Sequence, residues 1–378
     1  GDPRREELLM RVDFSSVLDG NEQLIESSRE HLDAVFVIDI SGSMHSSFVD
    51  DIDRRSKFDV AVECISQILK KLSSSDRTAI ITFNTMAEVI CPLTAATDAS
   101  KKSTLKKLNN ISVGGGTDLA NGLSTGYAHM REASGTTLHD SEPRTQRVFF
   151  LTDMQSSQWD EDKVLKLAAD EASLAGWLSK KNMDTAEGEL ATTSQSPPLL
   201  LQCAQAVGKR KATGALSPLP SPAPKKKKTT LTSPVFINLI GIGVDLSVST
   251  VESISSIPGA KYVSVISAAE LQETVAADFS YDITPLAFNI KVSLPDGLKI
   301  VKVYGSAELN NLRRNSKSAV ISAEFPVPLD DLQQSNGGVY LFHLDGGSNA
   351  FPSGITESSV HFSWLNSRGT REEMDCPI

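Results

Sequence analysis

The sequence predicts an α/β protein with a doubly wound, mostly parallel sheet and a smaller antiparallel β-sandwich. Three observations predict it. Between residues 32 and 281, short apolar runs typical of strands alternate with segments that have helical spacing of apolar residues. From residue 282 onward, strand patterns follow one another without a long helical segment between them. A chain of 378 residues is also long enough to form two separate cores.

Composition excludes several classes of protein. Apolar residues make up 40% of the chain, which is typical of a globular protein and too many for a disordered one. The net charge of -10 argues against a nucleic-acid-binding surface over most of the molecule. No apolar run approaches the roughly 18 residues of a membrane-spanning helix. The cysteines include no C-x-x-C pair, so we expect free thiols in a reducing, intracellular compartment; they are Cys64, Cys91, Cys203 and Cys376.

The α/β segment, residues 32–281, is predicted from periodicity. Phe58 begins an apolar series with spacings of 4, 3, 4 and 3, which is one face of a helix. Arg147–Thr152 contains four successive apolar residues, the pattern of a strand covered on both faces. The predicted strands are Ala34–Asp39, Arg77–Phe83, Glu88–Cys91, Arg147–Thr152, Val235–Ile242 and Tyr262–Ile266. The predicted helices are Phe58–Leu72, Thr97–Leu108, one from Asp118, Asp160–Lys181 and Val248–Ile254.

The sandwich segment, residues 282–378, shows apolar residues at every second position from Leu286 to Leu294, as in a strand with one buried face. Pro295-Asp296-Gly297 predicts a hairpin turn, because Pro presets φ and Gly accepts a positive φ. Further strands are predicted at Ile300–Tyr304, Ala319–Phe325, Val339–Leu344 and Val360–Leu365. Residues 1–31 contain one predicted strand, Leu8–Phe14, which we expect to pair with the sandwich; loop follows to about Glu30.

Residues 185–232 fit neither pattern. They are rich in Ser, Thr, Pro and Ala, and they separate a helix from the strand that should follow it. Such connections are usually about 2–6 residues long, so we predict a disordered, basic insertion within the α/β domain. Pro197–Val207 is expected to form at most a transient helix.

Oxygen-bearing side chains follow the first strand of the α/β segment. Asp39, Ser41 and Ser43 come directly after the buried run Ala34–Ile38, in the pattern D-x-S-x-S. In an open α/β sheet, ligands bind at the carboxyl ends of the strands. Carboxylate and hydroxyl oxygens suit Mg²⁺, which keeps some waters and takes few carboxylates.

Two further motifs are expected at the same edge of the sheet. Gly115-Gly116-Thr117-Asp118 places Thr117 on a tight loop before a helix, and Leu151-Thr152-Asp153 ends a second buried strand with a carboxylate. Taken with D-x-S-x-S, these motifs resemble the von Willebrand factor type A (vWA) domain with a metal-ion-dependent adhesion site. The resemblance covers residues 32–281 without the insertion and implies a Rossmann-like fold.

The resemblance implies a role for each of the five residues. Ser41 and Ser43 would coordinate the ion through their hydroxyls, and Thr117 directly or through water. Asp39 and Asp153 would bind mostly through waters. The ion would be Mg²⁺, or Mn²⁺ or Ca²⁺ in its place, and an acidic side chain of a protein partner would complete its coordination.

Simpler interpretations exist for the same residues. Ser41 and Ser43 alone would be explained as caps of the following segment, and Asp153 as a turn residue. The acidic residues of the next loop, Asp50, Asp51 and Asp53, are either solvated or shape which partner reaches the ion.

The matches to known enzyme motifs do not indicate an enzyme. Residues 122–126 match G-x-S-x-G, but they lie inside a predicted helix instead of at a strand-to-helix turn. The six histidines show no metal-binding spacing. We therefore predict no enzymatic activity.

Two basic clusters lie in the insertion: Lys209-Arg210-Lys211 and Lys225–Lys228. Their arrangement resembles a bipartite nuclear import signal, so a nuclear import receptor is a possible partner. A solvated charge run, or contact with nucleic acid or anionic lipid, would explain them too.

The functional prediction is a divalent-metal-dependent module that captures an acidic residue of a protein partner. The alternative is a scaffold subunit of a larger enzyme complex, such as a ubiquitin ligase or an ATPase assembly, with a structural metal.

Overall fold

The computed structural model of the chain describes residues 8–48, 54–136, 144–155, 158–174, 199–204, 235–243, 248–257, 259–265, 279–305, 309, 312–329, 338–345, 359–366 and 370–377. The chain forms two compact units. The α/β unit consists of Ile25–Gly176 and Ser233–Thr284, and the β unit of Gly1–Leu24, Trp177–Thr232 and Pro285–Ile378. The predicted fold class is confirmed.

The described residues form the following elements. The strands are β1 (Leu8–Ser16), β2 (His31–Asp39), β3 (Arg77–Phe83), β4 (Ala87–Ala95), β5 (Arg144–Thr152), β6 (Leu199–Ala204), β7 (Val235–Ile242), β8 (Lys261–Val265), β9 (Ala287–Ser293), β10 (Lys299–Tyr304), β11 (Ser318–Glu324), β12 (Val339–Asp345), β13 (Ser359–Leu365) and β14 (Arg371–Pro377). The helices are α1 (Glu22–Ser28), α2 (Lys57–Lys71), α3 (Asp98–Leu108), α4 (Leu119–Thr136), α5 (Gln158–Leu174), α6 (Val248–Ser255) and α7 (Phe279–Asp282).

The α/β unit is built on a six-stranded sheet of order β4-β3-β2-β5-β7-β8. All neighbouring strands are parallel except β3 and β4, which are antiparallel. The central strand β2 is buried from Leu32 to Asp39. Its register pairs Ile38 with Leu151 of β5, so the carboxyl ends of the two strands lie side by side.

Helices pack on both faces of this sheet. Phe36 and Ile38 of β2 belong to a core cluster with the apolar residues of α2, including Ile65. Val37 points to the other face, because side chains alternate along a strand. There α4 approaches closely, and a Cβ at Gly126 would lie only 2.6 Å from Cγ2 of Val37. Glycine is therefore needed for packing here, and the G-x-S-x-G pattern lies inside a helix as predicted.

Buried ion pairs hold the amino-terminal ends of the strands. Asp76 accepts hydrogen bonds from both terminal guanidinium nitrogens of Arg29 at 2.9 and 2.7 Å, and from the N–H of Leu32 at 2.8 Å. Asp33 on β2 accepts from Arg77 on β3 and from Arg144 on β5. These contacts lie at the edge of the sheet opposite the candidate metal site.

Helix α1 was not predicted from the sequence, which suggested loop between β1 and Glu30. The side-chain oxygen of Asn21 accepts the N–H of Leu24 at 3.0 Å, which caps the start of the helix.

The β unit contains two four-stranded antiparallel sheets, of order β10-β12-β1-β6 and β11-β9-β13-β14. β1 pairs with β12, with Met10 opposite Phe342. The ring of Phe14 on β1 meets the ring of Phe362 on β13 edge-on at 6.4 Å, which joins the two sheets through their side chains.

The hairpin predicted at Pro295-Asp296-Gly297 is wrong. The turn itself forms, since Gly297 has a φ of 96° and the N–H of Leu298 donates to the Pro295 carbonyl. However, it joins β9 of one sheet to β10 of the other. Turn residues reverse the chain locally, but they do not determine which strands pair.

The disorder predicted for residues 185–232 is wrong over the six residues of β6. The expected transient helix is also wrong there, because β6 pairs antiparallel with β1, with Leu201 opposite Phe14. The open edge of β1 offers backbone hydrogen bonds that an isolated segment lacks, and this tertiary context outweighs local preference.

The basic clusters Lys209–Lys211 and Lys225–Lys228, like the acidic residues at 50, 51 and 53, lie outside the described residues. None of the described helices has the length and apolar character needed to cross a membrane.

Candidate metal centre

Asp39, the last residue of β2, is completely buried. Its Oδ1 accepts the N–H of Ser41 at 2.8 Å, and its Oδ2 accepts the hydroxyl of Thr152 at 2.7 Å. Burial raises the pKa of Asp39 above its usual value, although hydrogen bonds from Ser41 and Thr152 oppose the rise; the charge of Asp153 adds to it. A carboxylate in this environment is stabilised in its ionised form by a nearby cation.

The hydroxyls of Ser41 and Ser43 lie 3.1 Å apart. Ser43 also donates its hydroxyl to Oδ1 of Asp153 at 3.1 Å. Ser41 precedes a short 3-10 helix, Gly42–His45, but its side chain makes no capping hydrogen bond. The interpretation of Ser41 as a cap is therefore wrong, and its hydroxyl faces the other polar groups of the sheet edge.

Asp153 directly follows β5 and is completely buried. Its Oδ1 is shared by Ser43 and by the N–H of Gln155, and its Oδ2 accepts from Nζ of Lys57 at 2.9 Å. The next residue, Met154, has a φ of 51°, which is uncommon for a residue other than glycine. The left-handed turn at Met154 bends the chain just after Asp153.

The loop that carries Thr117 lies against the segment after β2. The N–H of Gly42 donates to the carbonyl of Gly115 at 3.1 Å, and the N–H of Gly114 donates to the carbonyl of Ile40 at 2.8 Å. Gly115 has a φ of 92°, which favours glycine. Thr117 is two residues further along the loop and is partly buried.

Three residues of this region were not assigned a role from the sequence. Thr152 binds Asp39, Lys57 binds Asp153, and the side chain of Asn84 donates to the carbonyl of Gly114 at 2.9 Å. The sequence does indicate that Lys57 is buried, because it lies at helical spacing with three buried positions of α2: Ala61, Cys64 and Ile68. Nothing in the sequence indicates the role of Asn84, since its contact joins a turn and a loop that are 30 positions apart.

The donor set can be tested against the ion that the vWA resemblance implies. Among the residues that the structure describes, no group of three or more His, Cys, Asp or Glu side chains could hold a metal. The cluster at this edge combines two carboxylates, Asp39 and Asp153, with the hydroxyls of Ser41 and Ser43. Few carboxylates and several neutral oxygens suit Mg²⁺ or Mn²⁺, so the residues fit such an ion.

Comparison with known protein families gives one match. Residues 34–155 match the family described as the von Willebrand factor type A domain. This range begins in β2 and ends just after Asp153, so it contains all five predicted ligands. Residues 34–155 are therefore similar to a von Willebrand factor type A domain. The search of curated proteins found no match to this sequence.

Several solved structures align with the chain. A von Willebrand factor type A protein from Catenulispora acidiphila aligns with a TM-score of 0.52 and 12% identity, over 99% of this chain and 74% of that one. BatB, a conserved hypothetical protein from Bacteroides thetaiotaomicron, aligns with a TM-score of 0.38 and 14% identity, over 66% and 98%. The PilB minor pilin from Streptococcus sanguinis aligns with a TM-score of 0.41 and 13% identity, over 68% and 62%. At 12% identity, the similarity to the Catenulispora acidiphila protein concerns the fold alone.

Proposed function

We propose that this chain binds a divalent cation, Mg²⁺ first of all, at Asp39, Ser41, Ser43, Thr117 and Asp153, and through it an acidic residue of a protein partner. One observation supports this most directly. The Ser43 hydroxyl lies 3.1 Å from both the Ser41 hydroxyl and Oδ1 of Asp153, so oxygens from two distant chain segments converge.

Each residue has a part in this proposal. Ser41 and Ser43 would contact the ion through hydroxyl oxygens, and Thr117 would approach on the loop that Gly42 holds. Asp39 and Asp153 would neutralise its charge. The bound ion would supply an electrophilic position for a carboxylate oxygen from outside the chain.

The hydrogen bonds at this edge favour binding over catalysis. Both side-chain oxygens of Asp39 and both of Asp153 already accept hydrogen bonds from groups of the chain itself. Neither carboxylate is therefore arranged as a general base for an incoming water. We propose a recognition module without an enzymatic step.

The cation is tested by titrating the full chain with Mn²⁺ in a calorimeter. Ser43→Ala removes the hydroxyl between Ser41 and Asp153 and is expected to weaken Mn²⁺ binding at least tenfold. Ser124→Ala, an exposed serine on α4, serves as the matched control and should bind as the wild type does. Equal binding by Ser43→Ala and the wild type would contradict the proposed ligand set.

The acidic partner is tested with two pools of random peptides that differ only at one fixed position, Asp or Glu in one pool and Asn or Gln in the other. The chain should retain the acidic pool in Mg²⁺ and release it in EDTA. If EDTA lowers the melting temperature while peptide retention stays the same, the metal is structural. That outcome would favour the scaffold-subunit alternative.

A further inference from the structure

Lys57 is the first residue of α2, and the sequence holds the start of this helix firmly. Ser56 caps it, with its hydroxyl accepting the N–H of Asp59 while the Asp59 side chain accepts the N–H of Ser56. The N–H of Lys57 donates to the carbonyl of Ser46 at 2.9 Å. These bonds fix the direction in which the Lys57 side chain leaves the helix.

The Lys57 side chain runs inward to the candidate metal centre. Its Nζ lies 2.9 Å from Oδ2 of Asp153, and the two side chains are 7% and 0% exposed. Lysine is rarely buried to this degree unless it is paired, because taking the ammonium out of water is costly. The position therefore reflects a specific charge interaction with Asp153.

The surrounding residues leave a slot for the lysine stem. Gly243, after β7, has a φ of 69°, and a Cβ there would lie 2.9 Å from Cε of Lys57 and 3.2 Å from the ring of Phe48. Any larger residue at this position would collide with the stem. The absence of a side chain at Gly243 therefore makes room for the lysine.

The ammonium and a divalent ion would bind the same carboxylate. Oδ1 of Asp153 faces Ser43, and Oδ2 faces Lys57. The single positive charge of Lys57 offsets one of the two negative charges of ionised Asp39 and Asp153 before any ion binds. Because a site with less negative charge attracts a divalent cation more weakly, Lys57 would lower the affinity of the centre.

We propose that Lys57 is a built-in cation of this centre, which holds Asp153 in the metal-free protein and competes with a divalent ion for it. The inference rests on the proposed metal site. Lys57 also stabilises the metal-free protein, as any buried ion pair with Asp153 would. One consequence distinguishes the proposal from a purely structural ion pair: metal affinity rises when the charge of Lys57 is removed.

The test compares wild type, Lys57→Met and Lys57→Gln as full chains. Lys70→Met, at an exposed lysine of the same helix, is the matched control. In EDTA, Lys57→Met is expected to melt at a lower temperature than wild type, because Asp153 loses its partner. In calorimetry it should bind Mn²⁺ at least tenfold more tightly, and Mn²⁺ should raise its melting temperature by more. Circular dichroism checks folding, and Lys57→Gln, which keeps a donor without the charge, replaces Lys57→Met if that variant does not fold.

The outcomes test the role of Lys57 and the proposed metal site separately. Equal or weaker Mn²⁺ binding by the lysine variants would overturn the role of Lys57 and leave the metal site standing. Binding by the variants but not by the wild type would support the role of Lys57 and overturn metal-dependent recognition by the natural chain. If none of these proteins binds Mn²⁺, both proposals are overturned.

Discussion

The hydroxyl of Thr152 donates a 2.7 Å hydrogen bond to Oδ2 of Asp39, although the two residues are 113 positions apart in the sequence. The pairing of Ile38 with Leu151 in the adjacent parallel strands brings them together. The same hydroxyl oxygen accepts the N–H of Met154 at 2.9 Å. Thr152 thus connects Asp39 to the turn that follows Asp153, and two of the proposed ligands depend on one side chain.

Replacing Thr152 with valine keeps the side-chain shape and removes this link. We expect Mn²⁺ affinity to fall about tenfold, as for other residues that orient metal ligands. The free energy of unfolding should fall by about 1–3 kcal/mol, because Asp39 and the N–H of Met154 lose a buried partner. Calorimetry and urea unfolding measure the two effects. Thr94→Val, at an exposed position of β4, should change neither; unchanged affinity in Thr152→Val would show that Asp39 needs no such support.

Replacing Asn84 with alanine tests the loop that carries Thr117. The Asn84 side chain donates to the carbonyl of Gly114 and accepts the N–H of Met86. Its loss should free this loop and lower Mn²⁺ affinity about tenfold while the circular dichroism spectrum stays unchanged. Asn110→Ala, at an exposed asparagine after α3, is the control. Wild-type affinity in Asn84→Ala would mean that the loop does not contribute to the ion site.

Replacing Gly126 with alanine tests the close approach of α4 to the sheet. Alanine favours a helix over glycine by roughly 1 kcal/mol, so local preference alone predicts stabilisation. The added Cβ would lie 2.6 Å from Cγ2 of Val37, however, and we expect a net loss of about 1–3 kcal/mol in urea unfolding. A gain in stability would show that α4 can shift away from Val37 without cost.

The ion pair of Arg29 with Asp76 makes stability depend on pH. Burial alone would raise the pKa of Asp76, but hydrogen bonds from Arg29, Leu32 and Ser73 and the charge of Arg29 outweigh it, so the pKa is lower than usual. Since the unfolded-state pKa is about 3.9, this stabilisation is present above that pH and is lost as the pH falls through the lower, folded-state value. Asp76→Asn should lose about 3 kcal/mol of unfolding free energy at pH 7 and less in acid.

The control for this pH dependence is an exposed pair. A hydrogen bond from Lys317, with its charge, also lowers the pKa of Asp296, whose side chain is 94% exposed. Water screens this pair, so Asp296→Asn should unfold almost as the wild type does at every pH. If the Asp76 and Asp296 variants respond alike to pH, the buried position of Asp76 has no special effect.

The thiol of Cys64 should be unreactive in the folded protein. Its side chain is buried on α2, and burial raises its pKa to about 12. Only the thiolate reacts readily with iodoacetamide, so peptide mass spectrometry at pH 8 should find the partly buried Cys91 alkylated well before Cys64. In urea the two should react equally. Early alkylation of Cys64 without urea would mean that α2 opens often.

Local sequence patterns predicted the α/β elements well. The bounds of β3 and β7 match the prediction, because each strand is a compact, mostly apolar run with turn-favouring residues on either side, Asp76 and Asn84 for β3, and Pro234 and Gly243 for β7. Two errors concern pairing over distance: β6 was predicted as part of a disordered insertion, and the strands flanking Pro295-Asp296-Gly297 do not pair. β14 was not predicted, since Arg371–Glu373 carries three charges in succession and lacks the apolar alternation of a half-buried strand.

The sequence by itself determined the chemistry of the proposed site: two carboxylates and three hydroxyls, each predicted at or just after the end of a strand or in a glycine-rich loop. It determined this because the spacing of apolar residues defines where strands end. Only the tertiary structure decided that Thr152 supports Asp39 and that Lys57 lies beside Asp153. Those contacts depend on strand register and helix packing, which arise from burial of the whole core and are not encoded in any short segment.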